Sequence, residues 1–350
     1  MKYILINAIG CGFSGSKIIL EELVNHYKYD YRLILYVSNQ SKYNFTTKNI
    51  EVHTLRHSIF GRYLRVLYEL YYNLKALFNR NIKGIINLSN YGLCLNKNYI
   101  LYLHNSLIVD QNSNISFSGG NKNFLKDLFL SSCFNKANLI VVQTEHMFTK
   151  VIDYCNTNKI KVPNMEVVKP YKNFYLTSNY KGKSKNFAFQ FFYPSSNFAH
   201  KNEKLAIEAF AKLENDIGLI ITANQYQPIT DNVIITGQIT RENVYTYMQT
   251  SNALLFLSSY ESLGLPLIES MYFSKPAVLP DLPYAREIYG DSAVYFDSFE
   301  LKSIVKAIKY LKKEIKYFEA SVKDRSKSFF ENRHDWSHHW SIFLKHLENE

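Results

Sequence analysis

The 350-residue sequence has few of the features that mark metal-binding, disulfide-linked or membrane-spanning proteins. Its four cysteines are scattered with no C-x-x-C spacing, so neither a zinc knuckle nor a disulfide framework is indicated, and a reducing cytoplasm fits. No apolar run approaches the roughly 20 residues that a transmembrane helix needs, and the segment after Met1 has no signal-peptide pattern. We therefore expect a protein that is soluble or peripheral to a membrane. The cysteines are Cys11, Cys94, Cys133 and Cys155.

Positive charge is concentrated in one half of the chain. The net charge is +11, from 41 Lys and Arg against 30 Asp and Glu. Residues 1–170 have 20 basic and 10 acidic side chains, whereas residues 171–350 have 21 and 20. This excess indicates either an anionic partner, such as a lipid surface, a phosphate-bearing acceptor or nucleic acid, or simply a solvated lysine-rich surface.

Short β-rich runs alternate with helical patterns along the chain, which predicts an α/β protein with parallel sheets. The strands fall into two sets, and a polar, turn-rich linker at 167–186 separates them. We expect one Rossmann-like domain at 1–170, a second at 171–330, and a ligand-binding cleft between the two.

The last segment, 331–350, has the pattern of one amphipathic helix. Its large apolar residues recur at helical spacing and predict a buried stripe that packs back toward the first domain. His334 and His338 lie on the opposite face with an i, i+4 spacing that metal ligands use, but no carboxylate or cysteine motif completes a site, so a solvated or cleft-facing pair is favoured. The stripe consists of Trp336, Trp340, Phe343 and Leu347.

A glycine-rich turn, "IGCGFSGS", follows the first predicted strand and precedes a helical segment. Gly10, Gly12 and Gly15 fit G-x-G-x-x-G, the pattern with which backbone amides approach a dinucleotide pyrophosphate. That pattern also requires an acidic residue at the end of the next strand. The strand at 31–37 is followed by "SNQ", which has no acidic residue, so no dinucleotide cofactor is predicted. The glycines instead predict either a loop that a ligand or another piece of backbone approaches closely, or a purely structural tight turn.

The segment "ALLFLSSYESLGLPLIES" combines a buried strand, a loop and the start of a helix. Glu261 lies in the loop and Glu269 in the second turn of the helix. Gly264 lets the loop approach a ligand closely, and Pro266 near the first helical position leaves the free amides of the helix N-terminus available. Such amides suit a phosphate, and the two carboxylates suit sugar or ribose hydroxyls.

With its surroundings, this segment resembles the E-x7-E region of the retaining, nucleotide-sugar-dependent glycosyltransferases of the GT-B fold. They form the large family that includes sucrose synthase and many bacterial polysaccharide transferases, glycosyltransferase family 4. Glu261 and Glu269 match the two glutamates, and Gly264, Leu265 and Pro266 match the G-x-P between them. The following "SKPAVLPDLP" and "GDSAVYF" strengthen the match, which is clear over about 186–297 and loose before residue 145.

Three further positions carry the resemblance. "PSSNFAHKNEKLAIEAF" is similar to the family's H-K-N segment and implies that Lys201 binds the donor diphosphate. "YILYLHN" resembles the strand that ends in the family's active-site histidine, here His104. The family often has an arginine about six residues before the lysine, and this chain has Ser195 there, so Lys201 and helix amides would carry more of the phosphate charge.

The resemblance implies retaining transfer of a sugar from a nucleoside diphosphate to a saccharide or polyprenyl-diphosphate-linked acceptor, in cell-surface polysaccharide synthesis such as O-antigen or capsule. His104 and Glu261 would flank the donor sugar, Glu269 would hold the ribose, and the glycine loop would lie at the cleft. No D-x-D occurs in the chain, and no metal or cofactor is expected. The alternatives are a sugar-nucleotide epimerase of the same fold and a non-enzymatic basic lipid- or RNA-binding protein, although no familiar nucleic-acid signature is present and we expect no nucleic-acid partner.

The segment 60–80 predicts a basic, aromatic helix. Packing of its apolar stripe on the sheet of its own domain is the simpler interpretation. The alternative is a surface helix that seats the first domain on anionic lipid at the inner face of the cytoplasmic membrane. The stripe consists of Phe60, Leu64, Leu67, Tyr71, Leu74 and Phe78, with Arg62, Arg65, Lys75 and Arg80 around it.

Overall fold

The computed structural model describes residues 1–12, 14–38, 43–55, 61–96, 98–110, 121–169, 186–331 and 333–348, without the side chains of 14, 61–64 and 121–126. The chain forms two compact units. Unit 1 comprises Met1–Lys172 and Arg333–Glu350, and unit 2 comprises Asn173–Asn332. Most of the predicted linker, 170–185, lies outside the described residues.

Unit 1 is built on a parallel sheet of seven strands in the order β3-β2-β1-β4-β5-β6-β7. Five of these strands, β1, β2, β4, β5 and β6, are buried along nearly their whole length, as in a parallel sheet whose faces are covered by helices. Four helices connect them: α1 (Ser14–Asn25), α2 (Gly61–Phe78), α3 (Asn121–Lys136) and α4 (Glu145–Thr157). The strands are β1 (Tyr3–Ala8), β2 (Arg32–Ser38), β3 (Ile50–Leu55), β4 (Ile82–Asn87), β5 (Tyr99–Leu103), β6 (Leu139–Val142) and β7 (Met165–Val167).

Unit 2 contains a second parallel sheet, of six strands in the order β10-β9-β8-β11-β12-β13. The strands are β8 (Phe189–Tyr193), β9 (Ile217–Ile221), β10 (Val233–Ile235), β11 (Ala253–Leu255), β12 (Ala277–Pro280) and β13 (Val294–Phe296). The helices are α5 (Glu203–Phe210), α6 (Arg241–Thr250), α7 (Leu265–Tyr272), α8 (Pro283–Tyr289), α9 (Leu301–Lys313) and α10 (Ile315–Glu331). Two units of this kind are the α/β architecture that the sequence predicts.

The last helix, α11 (Trp336–Glu348), belongs to unit 1. The predicted stripe is buried, with Trp336, Trp340, Phe343 and Leu347 each at most 3% exposed. Trp340 Nε1 donates a hydrogen bond to the carbonyl of Leu23 in α1, at 2.7 Å. The rings of His334 and His338 lie 4.0 Å apart, and within the described residues no group of three or more His, Cys, Asp or Glu side chains could hold a metal ion.

The strand predicted at 31–37 lies within one residue of β2 at both ends, whereas one strand of the described structure was not predicted. The sequence analysis did not predict β7, a three-residue edge strand whose side chains are only half-buried. Such a short run has neither the length nor the alternation from which a strand is recognised. No helix of the described residues is long and apolar enough to cross a membrane.

The interpretation of α2 as a helix whose apolar stripe packs on its own sheet is wrong. Leu67, Tyr71, Leu74 and Phe78 are 60, 53, 37 and 81% exposed, whereas the polar side of the helix is buried. Glu69 lies at 0% exposure, where its carboxylate needs hydrogen bonds that the sheet and the 88–93 loop supply. The predicted members Phe60, Arg62 and Leu64 lie outside the described side chains.

The buried face of α2 forms a polar network with the ends of β1 and β4. Asn7 Nδ2 donates to Glu69 Oε1 at 3.1 Å, the Tyr72 hydroxyl donates to Oε2, and the amide of Leu93 reaches Oε2 at 3.1 Å. The guanidinium of Arg65 lies 3.7 Å from Oε1. Burial raises the pKa of Glu69, against the opposing effect of Arg65 and these donors. The network therefore fixes the loop after β4 to the helix.

Candidate donor-binding site

The loop between β8 and α5 contains two of the predicted donor-binding residues, Ser195 and Lys201. The hydroxyl of Thr222 accepts from the Ser195 amide and donates to the Ser195 carbonyl, both at 2.7 Å. The Ser195 hydroxyl donates to Glu203 Oε1, which also accepts from the Asn197 amide at 2.8 Å. Ser195 occupies the position at which the family that the sequence resembles often has arginine, and its side chain forms a hydrogen bond within the loop.

Glu203, which accepts both of these hydrogen bonds, is buried in unit 2 and only 3% exposed. Its second oxygen, Oε2, is buried and has no hydrogen-bond partner in the described part of the chain. The sequence analysis did not single out Glu203. A carboxylate directly after the H-K-N tripeptide was the available signal.

Lys201 and Glu261, which the sequence predicts to bind different parts of the donor, are in direct contact. Lys201 Nζ donates to Glu261 Oε1, and the ammonium lies 5.1 Å from the centre of the Phe256 ring. The two side chains are 11% and 15% exposed, so the pair is largely shielded from water. Each charge therefore has the other as its partner.

The loops that contain these two residues are connected by backbone contacts. The Ser259 amide donates to the His200 carbonyl at 2.8 Å, and Asn202 Nδ2 donates to the Leu257 carbonyl at 2.8 Å. The rings of Phe198 and His200 stack at 5.6 Å. Burial and the neighbouring lysine lower the pKa of His200 to about 4, against the effect of Glu261, so the imidazole is neutral at pH 7.

The Gly264-Leu265-Pro266 turn has the geometry that the sequence predicts. Gly264 is the N-cap of α7 with φ of +67°, a left-handed conformation that glycine adopts without a steric penalty, and Pro266 occupies the first turn. Leu265 and Pro266 are half-buried. The Leu267 amide donates to the Gly264 carbonyl at 2.9 Å, and Pro266 has no amide hydrogen. The amides of Gly264 and Leu265 are therefore the ones at this helix start that are suited to an anion.

Glu269 contacts α6 rather than the Lys201–Glu261 pair. Its Oε1 accepts from the Tyr245 hydroxyl at 3.4 Å, and the Arg241 side chain contacts that hydroxyl in turn. Burial raises the pKa of Glu269 to about 7, against the opposing effects of Arg241 and Tyr245. Arg241 and Tyr245 are not among the residues predicted from the sequence. Their i, i+4 spacing after the Thr240 N-cap, which places them on one face of α6, was the available signal.

In unit 1, the predicted residues His104 and Gly10 share one polar neighbourhood. His104 is 9% exposed, and its Nε2 lies 2.8 Å from the Leu88 carbonyl. Burial lowers its pKa, against the effect of the Leu88 carbonyl and its own carbonyl. The amide of Gly10 donates to the Ser89 hydroxyl at 3.1 Å, and a Cβ at Gly10 would lie 3.4 Å from Ser89 Cα. That distance is an ordinary van der Waals contact, so packing alone does not require glycine at this position.

The other two glycines of the turn lie beside Gly10. Gly12 is buried just before α1, and Gly15 is half-buried in its first turn. The predicted residues thus fall into three groups: His104 with Gly10, Lys201 with Glu261, and Glu269 with α6.

Comparison with known proteins identifies the family of unit 2 and the fold of the chain. Residues 178–324 match the family model described as Glycosyl transferases group 1. A 97-residue stretch, 28% of this chain, is 32% identical to the serotype-specific mannosyltransferase WbdA of Escherichia coli. That stretch is 11% of WbdA, so the chain matches only a small part of this curated relative.

Solved structures align over nearly the whole chain at low identity. WaaG, a glycosyltransferase involved in lipopolysaccharide biosynthesis, has a TM-score of 0.73 at 13% identity and covers 97% of this chain and 98% of its own. Sucrose-phosphate synthase from Thermosynechococcus elongatus has a TM-score of 0.71 at 12% identity, covering 99% and 97%. Anabaena Alr3699/HepE, in complex with UDP and glucose, has a TM-score of 0.71 at 13% identity and covers both chains completely.

These findings confirm the GT-B fold that the sequence resemblance implies, and residues 178–324, less than half of the chain, match the Glycosyl transferases group 1 model.

Proposed function

We propose that this protein is a retaining glycosyltransferase that moves a sugar from a nucleoside diphosphate to a saccharide or polyprenyl-diphosphate-linked acceptor. The observation that carries the proposal is the contact between Lys201 and Glu261 within the matched family domain. An ammonium group beside a carboxylate, in a loop that precedes a free helix N-terminus, provides groups for a diphosphate and for sugar hydroxyls together. The complex of HepE with UDP and glucose supports a nucleotide-sugar donor.

Each residue has a distinct role in this mechanism. Lys201 and the amides of Gly264 and Leu265 stabilise the negative charge that develops on the departing diphosphate. Glu261 accepts hydrogen bonds from hydroxyls of the donor sugar, and Glu269 accepts from the ribose. Retention requires the acceptor to attack from the face that the diphosphate leaves, so none of these side chains acts as a base on the opposite face, and no metal is needed.

Cell-surface polysaccharide synthesis is the process that the relatives favour. WbdA is a serotype-specific mannosyltransferase and WaaG acts in lipopolysaccharide biosynthesis. A sugar-nucleotide epimerase of the same fold is the competing enzyme, and it would convert its donor with no acceptor present. A non-enzymatic lipid- or RNA-binding protein would retain its function when Glu261 and Glu269 are both replaced.

The donor site is tested by a thermal-shift screen of the purified protein against UDP, GDP, ADP, dTDP and CDP and their glucose, mannose and N-acetylglucosamine conjugates. A bound nucleotide raises the unfolding temperature by mass action. We expect one base to stabilise the protein, and Lys201→Ala to abolish that shift. Lys204→Ala is the matched control, because Lys204 is a 74%-exposed lysine of the same segment. Stabilisation that is equal in both variants would contradict the assignment of Lys201.

We also propose that the membrane partner is an anionic lipid surface, contacted by the exposed apolar face of α2. The helix uses its polar face for the Glu69 network, which leaves large apolar side chains toward solvent on the other face. Lys75 lies 6.0 Å from the Tyr71 ring centre, and Arg80 at the helix end is exposed. The face consists of Leu67, Leu70, Tyr71, Leu74, Leu77 and Phe78.

The charge of residues 1–170, +10 by the count above, matches an anionic surface. Burying apolar side chains at the headgroup boundary adds about 1.5–3 kcal/mol for each that is fully inserted. This arrangement would hold the protein at the inner face of the cytoplasmic membrane, where lipid-linked acceptors are found.

Sedimentation with vesicles tests this surface. We expect binding to vesicles of phosphatidylcholine with phosphatidylglycerol, weaker binding to pure phosphatidylcholine, and at least a tenfold loss in Leu77→Ser/Phe78→Ser. Tyr317→Ser is the control, because Tyr317 is 65% exposed but lies in unit 2. Equal binding to both kinds of vesicle, or none to either, would contradict the proposal.

A further inference from the structure

The two carboxylate oxygens of Glu269 have different surroundings in unit 2. The side chain is 6% exposed. Its Oε1 accepts from the Tyr245 hydroxyl at 3.4 Å, whereas Oε2 has no hydrogen-bond donor among the residues that the structure describes. A carboxylate oxygen away from bulk water needs hydrogen bonds to offset the loss of hydration. Oε2 is therefore the oxygen that is available to a hydroxyl of the donor ribose.

Tyr245 is buried between α6 and α7 and contacts α7 at two points. Its ring centre lies 6.3 Å from that of Phe273, the residue that follows α7, and its hydroxyl reaches Glu269 one turn earlier. Arg241 Nε donates to the same hydroxyl. An arginine can only donate and an ionised carboxylate can only accept, so the phenol is the link that accepts from one and donates to the other.

The start of α6 places Arg241 beside Tyr245. Thr240 is the N-cap, and its hydroxyl accepts from the Asn243 amide at 3.3 Å, so Arg241 is the first helical residue. Residues four apart lie on the same face of a helix. The guanidinium carbon lies 5.3 Å from the centre of the Tyr245 ring. Arg241 therefore interacts with both the ring and the hydroxyl of Tyr245.

Arg241 is also the cation that acts on the Glu269 carboxylate, and it opposes the rise in pKa that burial causes. Two other helices, α8 and α10, pack on α7 as well. The Tyr289 hydroxyl of α8 contacts Ser270, and the Arg325 guanidinium of α10 donates to carbonyls of α8 at 2.9 Å. Without Arg241, the buried carboxyl group should hold its proton to a higher pH.

We infer that Arg241 is a positioning residue, which holds Oε1 of Glu269 through the Tyr245 hydroxyl and so directs Oε2 toward the donor ribose. This inference rests on the proposed function, in which Glu269 accepts from the ribose. Hydrogen bonds to a charged acceptor are about twice as strong as those to a neutral one, so a ribose hydroxyl binds the carboxylate better than the protonated carboxyl group. Arg241 therefore extends strong donor binding to lower pH.

The pH profile of donor binding separates this role from a structural one. The probe is whichever of UDP-glucose, GDP-mannose and UDP-N-acetylglucosamine stabilises the protein most, because the diphosphate of a nucleotide sugar does not titrate in the pH range of the measurement. In Arg241→Gln we expect the Kd to rise about tenfold at pH 6 and less than about twofold at pH 8.5, since the pKa of Glu269 should rise by about one pH unit. Tyr245→Phe, which removes only the hydroxyl, should change the profile in the same direction. Lys212→Gln is the control, because Lys212 is an exposed lysine of unit 2.

A loss of affinity in Arg241→Gln that is equal at pH 6 and pH 8.5, or a wild-type profile in Tyr245→Phe, would overturn the inference. A ¹³C NMR titration of the Glu269 carboxyl group, assigned with Glu269→Gln, measures the same effect without nucleotide. Its midpoint should be higher in both variants, and an unchanged midpoint would also overturn the inference. If the wild-type protein binds none of the three nucleotide sugars, the proposed function fails, and the titration still decides whether Arg241 acts on Glu269.

Discussion

The Lys201–Glu261 pair predicts that one substitution should strengthen nucleotide binding while it weakens catalysis. The two charges are in contact and largely buried. A diphosphate must then share Lys201 with a carboxylate that repels it. Glu261→Gln keeps the size and the hydrogen-bonding oxygen of the side chain but removes the negative charge, so we expect the affinity for the nucleoside diphosphate to increase.

The size of the effect follows from Coulomb's law. At about 6 Å and an effective dielectric constant of about 20, one unit of phosphate charge and the carboxylate repel by about 3 kcal/mol, and in bulk water by about 0.7 kcal/mol. The site lies between these limits because both side chains retain some exposure. A gain of about 1–2 kcal/mol corresponds to binding that is about 5- to 30-fold tighter. Transfer should fall about 10- to 100-fold, because a hydrogen bond to a charged acceptor is worth about 1.5–3 kcal/mol.

Isothermal titration calorimetry with the nucleoside diphosphate selected by the thermal-shift screen measures the first effect, and steady-state turnover measures the second. Glu208→Gln is the control, because Glu208 pairs with the exposed Lys204 on α5 and should change neither quantity. Weaker nucleotide binding in Glu261→Gln would refute the reasoning, since it would mean that Glu261 orients Lys201 for the phosphate instead of competing with it.

Three other perturbations test separate parts of the site. Glu269→Ala should weaken nucleoside diphosphate binding by about tenfold through loss of the ribose contact, measured by calorimetry; wild-type affinity would place the ribose elsewhere. Burial raises the pKa of Glu269 to about 7, so ionisation of this carboxyl destabilises the folded state. The free energy of unfolding should therefore fall by about 3 kcal/mol as the pH rises from 4.5 to above 7. Urea unfolding at pH 5 and pH 8 should show a smaller pH dependence in Glu269→Gln, and an equal pH dependence would contradict the burial argument. Gly264→Ala should lower the free energy of unfolding by about 1–2 kcal/mol through backbone strain, because Gly264 has a left-handed conformation. An added Cβ would lie 3.5 Å from Leu267, so no clash contributes. An unfolding temperature equal to that of the wild type would exclude strain at this turn.

The sequence predicted the parts of this structure that depend on local pattern. The strands are apolar runs bounded by turns, and Gly264 with Pro266 predicts the helix start because their conformational preferences act at one position. Lys201 and Glu261 were both selected as donor residues, but their contact joins positions 60 residues apart, and no local pattern gives that distance.

The faces of α2 show why the rest could not be predicted. Two stripes recur at helical spacing on this helix, one apolar and one that includes Glu69, Tyr72 and Asn73. Hydrophobicity favours burial of the first, and the structure buries the second. The decision depends on donors such as Asn7 and the Leu93 amide, which lie in distant parts of the sequence and become neighbours only after the sheet has formed.

The central claim, retaining transfer from a nucleotide sugar, is tested most directly by ¹H NMR of the reaction itself. The protein is incubated, without added metal, with the α-linked nucleotide sugar that stabilises it and a saccharide acceptor, and the anomeric signals are followed over time. We expect release of the nucleoside diphosphate together with a new anomeric signal of an α-linkage, identified by a small H1–H2 coupling for a glucose-configured sugar and by the larger one-bond C1–H1 coupling for mannose. A β-linked product from the same donor, or conversion of the donor at an equal rate without acceptor, would contradict it.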